Sequence, residues 1–528
     1  MSLVKKFVTV GGATLASRVL GFGREALMAA VLGAGPVADA FYAAFRFPNL
    51  FRRLFAEGAF NAAFVPLFSK EIEANGVAGA KKFSEEVLGV LFSILLVLTI
   101  LMELSMPFLV STIIAPGFIS DPLKFEMTRQ MALIMFPYLM CMSLTAMMSG
   151  ILNSLHRYFA AAIAPVFLNV ILIAILAIAL WSGSDPYDAG KMMAWGVLAA
   201  GILQLLIVVV SVRLAGIQLQ LRRPTMTPAV KRVLVLAAPA AITGGITQIN
   251  LVIGQMIASG KDGAISVLQY ADRVYQLPLG VVGIAVGVVL LPELARALKG
   301  GKLVEAGSIQ NRSVEFSLFL TLPAAAALLV MSEPIVRVLY ERGAFSVDTT
   351  ATVAGTLAIF GLGLPAFVLI KCFTPGFFAR EDTKTPMRFA GVSVAVNTGL
   401  ALTLFPVIAE RGIATAEVIA GWTNAAFLVT TLVRRGYWSM DEGLVKRVPR
   451  LVLSAVLMAA VLYVAVLWLS PYLTSDRSFL VQASVLFVLI LFSALVYFGL
   501  AFGIGGADRA MLRRNVERSR GAPPVEPL

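Results

Sequence analysis

The sequence predicts an all-α polytopic membrane protein with about 14 transmembrane helices, built as two parallel six-helix repeats and two additional C-terminal helices. Three observations predict it. Of 528 residues, 59% are hydrophobic and 14% are charged, whereas soluble domains carry about one quarter charged residues. Apolar stretches of about 20 residues, the length that spans a bilayer, recur along almost the whole chain. Landmarks also recur at an offset of about 227 residues, a sign of internal duplication: Pro66 with Pro292, Pro107 with Pro334, Pro137 with Pro365, and Asn169 with Asn397.

From the N-terminus, the apolar segments centre near residues 21, 52, 97, 140, 170, 202, 244, 279, 322, 362, 396, 423, 460 and 490. The opening MSLVKKFVTV has the charged start of a signal peptide. The apolar run behind it lacks a small-residue cleavage site and continues into Arg18 and Arg24, so it reads as a retained first helix. The repeats are expected over residues 1–222 and 223–445, the two extra helices over 446–505, and a cytoplasmic tail over 506–528. An even number of segments per repeat restores the same orientation, so the halves run parallel. Local words agree with the offset: PFLVSTIIAPGF from Pro107 and PIVRVLYERGAF from Pro334 share a Pro, ten residues and a Phe.

With the N-terminus inside, the inner loops and tails hold most of the 43 lysines and arginines, among them Lys81-Lys82, Arg222-Arg223, Arg434-Arg435 and Arg513-Arg514. That bias places both termini in the cytoplasm. The net charge of +13 is then mainly a topology signal. Charge spread over many short loops argues against nucleic acid as a partner.

Some basic residues fall inside apolar segments: Arg18, Arg24, Arg46, Arg52, Arg53, Arg273 and Lys371. A mid-bilayer charge costs about 2.5–3.5 kcal/mol on insertion scales, and such residues face a bundle interior or a wet cavity. Asp39, Tyr42, Arg46, Asn49 and Arg53 follow three- and four-residue steps along one helix face, with Glu57 four beyond. Arg52 lies at the stripe's edge. Asp39 and Glu57 are expected to lower the cost of the arginines by pairing with them. Pro48 is expected to bend this helix, and Gly21 and Gly23 to give the first one a hinge. Gln269 and Gln276 flank Arg273 on its own face. Snorkelling to the interface competes with a cavity role, most for Arg46 and Arg53 and least for Arg18, Arg24 and Arg273. Buried cations in excess of buried acids leave a positive cavity at the repeat interface, and guanidinium grips phosphate oxygens two at a time. The natural counterpart is a phosphate or diphosphate.

Cys141 and Cys372 read as small core residues and His156 as a loop residue. No metal site, cofactor or catalytic motif is expected: HExxH, a P-loop and CxxC are all missing.

SRVLGFGRE (Ser17–Glu25), ADAFYAAFRFPNLFRRLFAEGAFNAAFVP (Ala38–Pro66), QYADRVYQLPLGVVGIAVGVVLLPELA (Gln269–Ala295) and FAREDTKTP (Phe378–Pro386) together resemble the MurJ (MviN) lipid II flippases, of the multidrug/oligosaccharidyl-lipid/polysaccharide exporter superfamily. The resemblance covers essentially the whole chain. It implies a bacterial inner-membrane transporter, not an enzyme, that moves undecaprenyl-diphosphate-linked peptidoglycan precursor to the outer leaflet by alternating access. Lipid II, membrane lipids and a coupling ion are its implied partners. By motif, Arg18, Arg24, Arg52 and Arg273 correspond to the family's cavity arginines, Asp39 to a cavity acid and Lys371 to a cavity lysine. The two C-terminal helices would form a groove for the lipid tail. Some members hold sodium, at a site with no assigned residues here.

Other functions compete. A drug exporter of the superfamily needs an acidic or aromatic cavity, and this one is basic. A flippase for another polyprenyl-diphosphate-linked glycan fits the same charges. A membrane glycosyltransferase would want carboxylates in a large outer loop, and the outer loops are short. A scaffold for cell-wall machinery would have no use for buried charge.

Overall fold

A computed structural model of the protein describes residues 3–52 and 60–507. Arg53, Glu57 and most of the expected tail lie outside the described residues. All regular structure among the described residues is helical. In order come α1 (Leu3–Leu32), α2 (Pro36–Phe51), α3 (Phe60–Leu104), the short α4 (Met106–Leu109), α5 (Pro122–Met135), α6 (Tyr138–Ser154), α7 (Tyr158–Ser182), α8 (Pro186–Leu214) and α9 (Pro228–Ala258). Then follow α10 (Ala264–Lys299), α11 (Leu303–Val330), α12 (Ser332–Tyr340), α13 (Val347–Phe378), α14 (Lys384–Ile408), α15 (Glu410–Arg434), α16 (Glu442–Leu469) and α17 (Phe479–Gly503).

Local chemistry sets many of these boundaries. Proline stands in the first turn of α2, α5, α8 and α9, where its missing N–H costs no helix bond. Asp121, Asp185, Thr227 and Asp441 cap α5, α8, α9 and α16 by accepting from backbone N–H groups of the first turn. Gly76 breaks α3 into two stretches through a left-handed φ of 64°, a conformation glycine adopts without a Cβ clash. α1 runs unbroken through Gly21 and Gly23, and α2 continues past Pro48.

Ten spans among the described residues are long and apolar enough to cross a bilayer, one of them formed by α5 and α6 together. The chain is therefore an all-α, multi-pass membrane protein. Helices α1, α2, α9 and α10 stand at the other four expected positions. The expected second centre, near residue 52, falls just past α2, whose apolar body starts earlier, at Pro36.

The chain forms two compact units: Met1–Gln269 with Arg342–Thr349, and Tyr270–Glu341 with Thr350–Leu528. In the first, α7 packs on both α1 and α8, α6 on α3 and α8, α2 on α5, and α9 along α3. In the second, α14 packs on α15, and α11 and α17 on α16. There Leu294, Val314, Phe373, Leu428 and Trp438 share one core, while Phe319, Met458, Leu489 and Tyr497 tie α11 to the C-terminal pair.

Candidate functional site

Arg24 lies in the apolar body of α1, and the fold buries it to 7% exposure. Its charge is met locally. Nη2 donates to Glu25 Oε1 at 2.6 Å, and the Tyr42 hydroxyl of α2 donates to the other Glu25 oxygen at 2.6 Å. Nη1 donates to Asn169 Oδ1 of α7 at 3.1 Å. Nε is buried with no hydrogen-bond acceptor among the described residues. Arg24 is thus paired with one carboxylate and keeps its Nε–H unspent, a state suited to an incoming oxyanion.

Asp39 has a different partner from the expected one. It pairs with no described arginine. Lys124 of α5 donates to it at 2.9 Å, and both side chains are almost wholly shielded from solvent. Gly263 N (2.7 Å), Ser266 N (2.9 Å) and the Ser266 hydroxyl (2.8 Å) also donate to Asp39. The carboxylate therefore satisfies free N–H groups at the start of α10, where the helix dipole favours negative charge. Lys124 reaches on to Asp262 at 2.6 Å and lies 4.1 Å from the Phe118 ring centre. The expected polar stripe on α2 is consequently not an open face: Asp39 and Tyr42 are as buried as Phe41 and Ala44 opposite.

The remaining expected residues separate. Arg18 is exposed on α1 and Lys371 on α13. Arg52 is partly buried, and its Nε donates to Asn49 Oδ1 at 2.8 Å. Arg46 donates to Gln269 Oε1 at 3.0 Å, which takes Gln269 to α2. Arg273 is partly buried in the second unit, where Gln276 hydrogen-bonds its neighbour Asp272. Arg53 and Glu57 lie outside the described residues. Among the described residues, no three His, Cys, Asp or Glu side chains gather as a metal site.

Around Asp39 the first unit closes by backbone contact. A Cβ on Gly343 would stand 2.3 Å from Ala30 O, and Ala344 N donates to that carbonyl at 2.8 Å. A Cβ on Gly117 would stand 2.4 Å from Ser259 O, and Gly117 N donates to the Ser259 hydroxyl at 2.9 Å. These glycines belong to the two repeated words, APGF and RGAF, whose Phe118 and Phe345 are both buried. The first word meets the C-terminal end of α9 and the second meets the C-terminal end of α1. The repeat signal had found these words without revealing these contacts.

Sequence reasoning missed Lys124, Glu25, Tyr42 and Asn169 as members of these networks. Lys124 stands in the first turn after an Asp-Pro helix start, where a lysine carries no local sign of burial. Asn169 was noticed only as a repeat landmark, although an amide inside VFLNVILI was itself a signal.

A protein-family profile described as Lipid II flippase MurJ matches residues 28–506. A "Probable lipid II flippase MurJ" of Rhizobium meliloti (strain 1021) is 68% identical over 526 residues, covering 100% of this chain and 98% of the relative. A "Lipid II flippase MurJ" of Burkholderia cenocepacia is 34% identical, with 96% of this chain and 98% of the relative covered. Among solved structures, "Lipid II flippase MurJ, inward closed conformation" aligns with a TM-score of 0.77 and 26% identity, over 97% of this chain and 100% of that one. An inward-facing multidrug resistance MATE family transporter of the MOP superfamily aligns with a TM-score of 0.65 at 14% identity, over 80% of this chain and 95% of that one, a likeness of fold alone. With one profile and full-length relatives matching along nearly the whole chain, the chain belongs to the MurJ lipid II flippase family.

Proposed function

We propose that this protein carries lipid II, the undecaprenyl-diphosphate-linked peptidoglycan precursor, from the inner to the outer leaflet of the bacterial cytoplasmic membrane. Membership of the family supports the reading, and one observation carries it: a buried guanidinium, Arg24, with an unspent donor inside an apolar helix. A diphosphate cannot cross hydrocarbon unpartnered, because burying its charge without compensation is prohibitive. Arg24 supplies a charge-assisted donor in a dry setting, where such bonds are strongest. Arg18, Arg52, Arg273, Lys371 and Arg53 add positive charge for the headgroup, and Glu57 balances it, while Asp39 is held by Lys124 and the start of α10. The polyprenyl tail stays with membrane lipid, against the C-terminal helix pair. The protein acts as a transporter with no bond-making chemistry.

The transport cycle is alternating access by two six-helix repeats, over residues 1–222 and 223–445, followed by the two helices over 446–505. Fourteen spans put both termini, and the tail after 505, in the cytoplasm. The loop after α1 then faces outside, and the contacts around Asp39, Gly117 and Gly343 are the outer closure. Trp181 (90% exposed) and Trp468 (81% exposed) stand at the same end of α7 and α16, as aromatic residues do at a membrane interface. Outward opening separates Asp39 from the start of α10. Lys124 keeps the carboxylate compensated while that happens. The membrane potential, worth about 2.3 kcal/mol per elementary charge per 100 mV, or a coupling ion, resets the carrier.

The test is complementation in cells depleted of their own lipid II flippase. The wild-type chain is expected to restore growth and delivery of labelled lipid II to the outer leaflet. Arg24→Ala and Arg273→Ala are expected to reach the membrane and fail at both. Normal delivery by both variants would overturn the arginine reading.

A further inference from the structure

The Arg24 network contains a residue with no assigned role: Asn169 of α7. Its amide is buried, at 6% exposure, and both ends are committed to α1. Nδ2 donates to the Ser17 carbonyl at 3.0 Å, while Oδ1 accepts from Arg24 Nη1 at 3.1 Å. The orientation of the amide follows from chemistry. A backbone carbonyl only accepts, so the nitrogen must face Ser17 and the oxygen must face Arg24.

Helix geometry explains why one side chain reaches both residues. Ser17 and Arg24 are seven positions apart, about two turns, so they share one face of α1. Helical side chains lean toward their own N-terminus, which brings the Arg24 guanidinium back toward the level of Gly21. A Cβ on Gly21 would stand 3.6 Å from both polar atoms of the Asn169 amide. Glycine at this position lets the amide lie directly on the helix surface between its two partners. Gly21 therefore serves as a seat for α7.

The consequence bears on which guanidinium edge is left for a ligand. Glu25 holds Nη2 and Asn169 holds Nη1. An arginine side chain has many rotamers, and fixing it in advance removes an ordering cost from binding. Glu25 alone constrains one nitrogen and leaves the fork free to pivot about it. Asn169 is the second point of attachment, and two points fix the plane.

We propose that Asn169 is a positioning residue for substrate: it fixes the plane of the Arg24 guanidinium and so sets how that group meets the diphosphate. This rests on the reading of Arg24 as a headgroup-binding residue, and it adds a residue that acts through Arg24. It also predicts that the effect of Asn169 vanishes when Arg24 is gone, which a packing role would not do.

The experiment is a double-mutant cycle on the purified full-length protein in detergent, with lipid II as the titrated ligand. Asn169→Leu keeps the branching and the number of side-chain heavy atoms and removes both hydrogen bonds. It is expected to weaken lipid II binding about tenfold, the equivalent of about 1.4 kcal/mol. Arg24→Ala is expected to weaken binding at least as much, and adding Asn169→Leu to it is expected to change nothing further. If Asn169→Leu fails to insert, Asn169→Ala is read in the same cycle. Equal losses with and without Arg24, or no loss in the Asn169 variant while Arg24→Ala loses binding, would overturn the positioning role and leave the functional reading standing. Unchanged binding in Arg24→Ala would overturn the functional reading and the positioning role with it.

Discussion

Lys124 shows at the scale of one residue what a membrane bundle demands of a charge. It sits in the first turn of α5 and is buried against two acids, Asp39 and Asp262. Taking an ammonium and a carboxylate out of water is costly, and removing one partner leaves the other uncompensated, at about 3–5 kcal/mol. Lys124→Met is therefore expected to lower thermal stability in detergent sharply. The double variant Lys124→Met with Asp39→Asn is expected to recover much of that loss, because no charge is then left alone. A single variant as stable as wild type would refute the pairing. Part of this site was legible in advance. Asp39 was visible as an acid in an apolar helix, and Arg24 as a cation in one. Their partners were not, since Lys124 lies 85 positions from Asp39 and Asn169 lies 145 from Arg24, and nothing local in a sequence links such pairs.

Helices carry their own start signals, and α14 shows one borrowed from outside. Thr383, directly before it, makes no side-chain cap. Asp382 does the work: Thr385 N donates to it at 3.0 Å and the Thr385 hydroxyl at 2.6 Å. Arg435, beyond the end of α15, adds a bond at 2.7 Å. The Thr385 hydroxyl first, then its amide and Arg435, hold the Asp382 carboxyl down at about 2, from an ordinary 3.8. A depressed carboxyl stabilises the fold above its unfolded pKa, and that contribution fades as pH falls from about 4 toward 2. The carboxyl lies near water, so the contribution is about 1 kcal/mol or less. Asp382→Asn is expected to speed amide exchange in the first turn of α14 at neutral pH. Below about pH 2, where the carboxyl is protonated in the folded state too, the variant and the wild type should exchange alike. Equal exchange at neutral pH would show that the carboxylate charge adds nothing to this cap. The FAREDTKTP word was legible as a motif, but its job required Arg435, which comes from the far end of the neighbouring helix.

Over the whole molecule, the duplicated words acquire a shared purpose. Gly117 brings its loop onto the end of α9 and Gly343 brings its loop onto the end of α1, close enough that no Cβ fits. Gly343 also has a left-handed φ of 57°, which disfavours any side chain. Gly343→Val is expected to cost about 1–3 kcal/mol in local strain and to hold this end open. A cysteine at position 35, beside the closure, should then react with a membrane-impermeant thiol reagent far faster than in the otherwise wild-type protein. Native Cys141 and Cys372 are buried and give little background. Unchanged labelling together with normal lipid II delivery would remove Gly343 from the closing device.

The sequence by itself determined the class of the molecule and the kind of charge it buries. Membrane-length apolar runs leave the helix as the regular structure that satisfies every backbone group without water, and arginines inside those runs must be compensated. Both conclusions follow from composition and spacing along the chain. The choice of partners was decided in three dimensions. Which acid neutralises which cation, which amide steadies Arg24, and which loop closes over which helix end depend on side chains brought together from distant segments by packing. A buried charge dictates that a partner exist, and only the fold selects it.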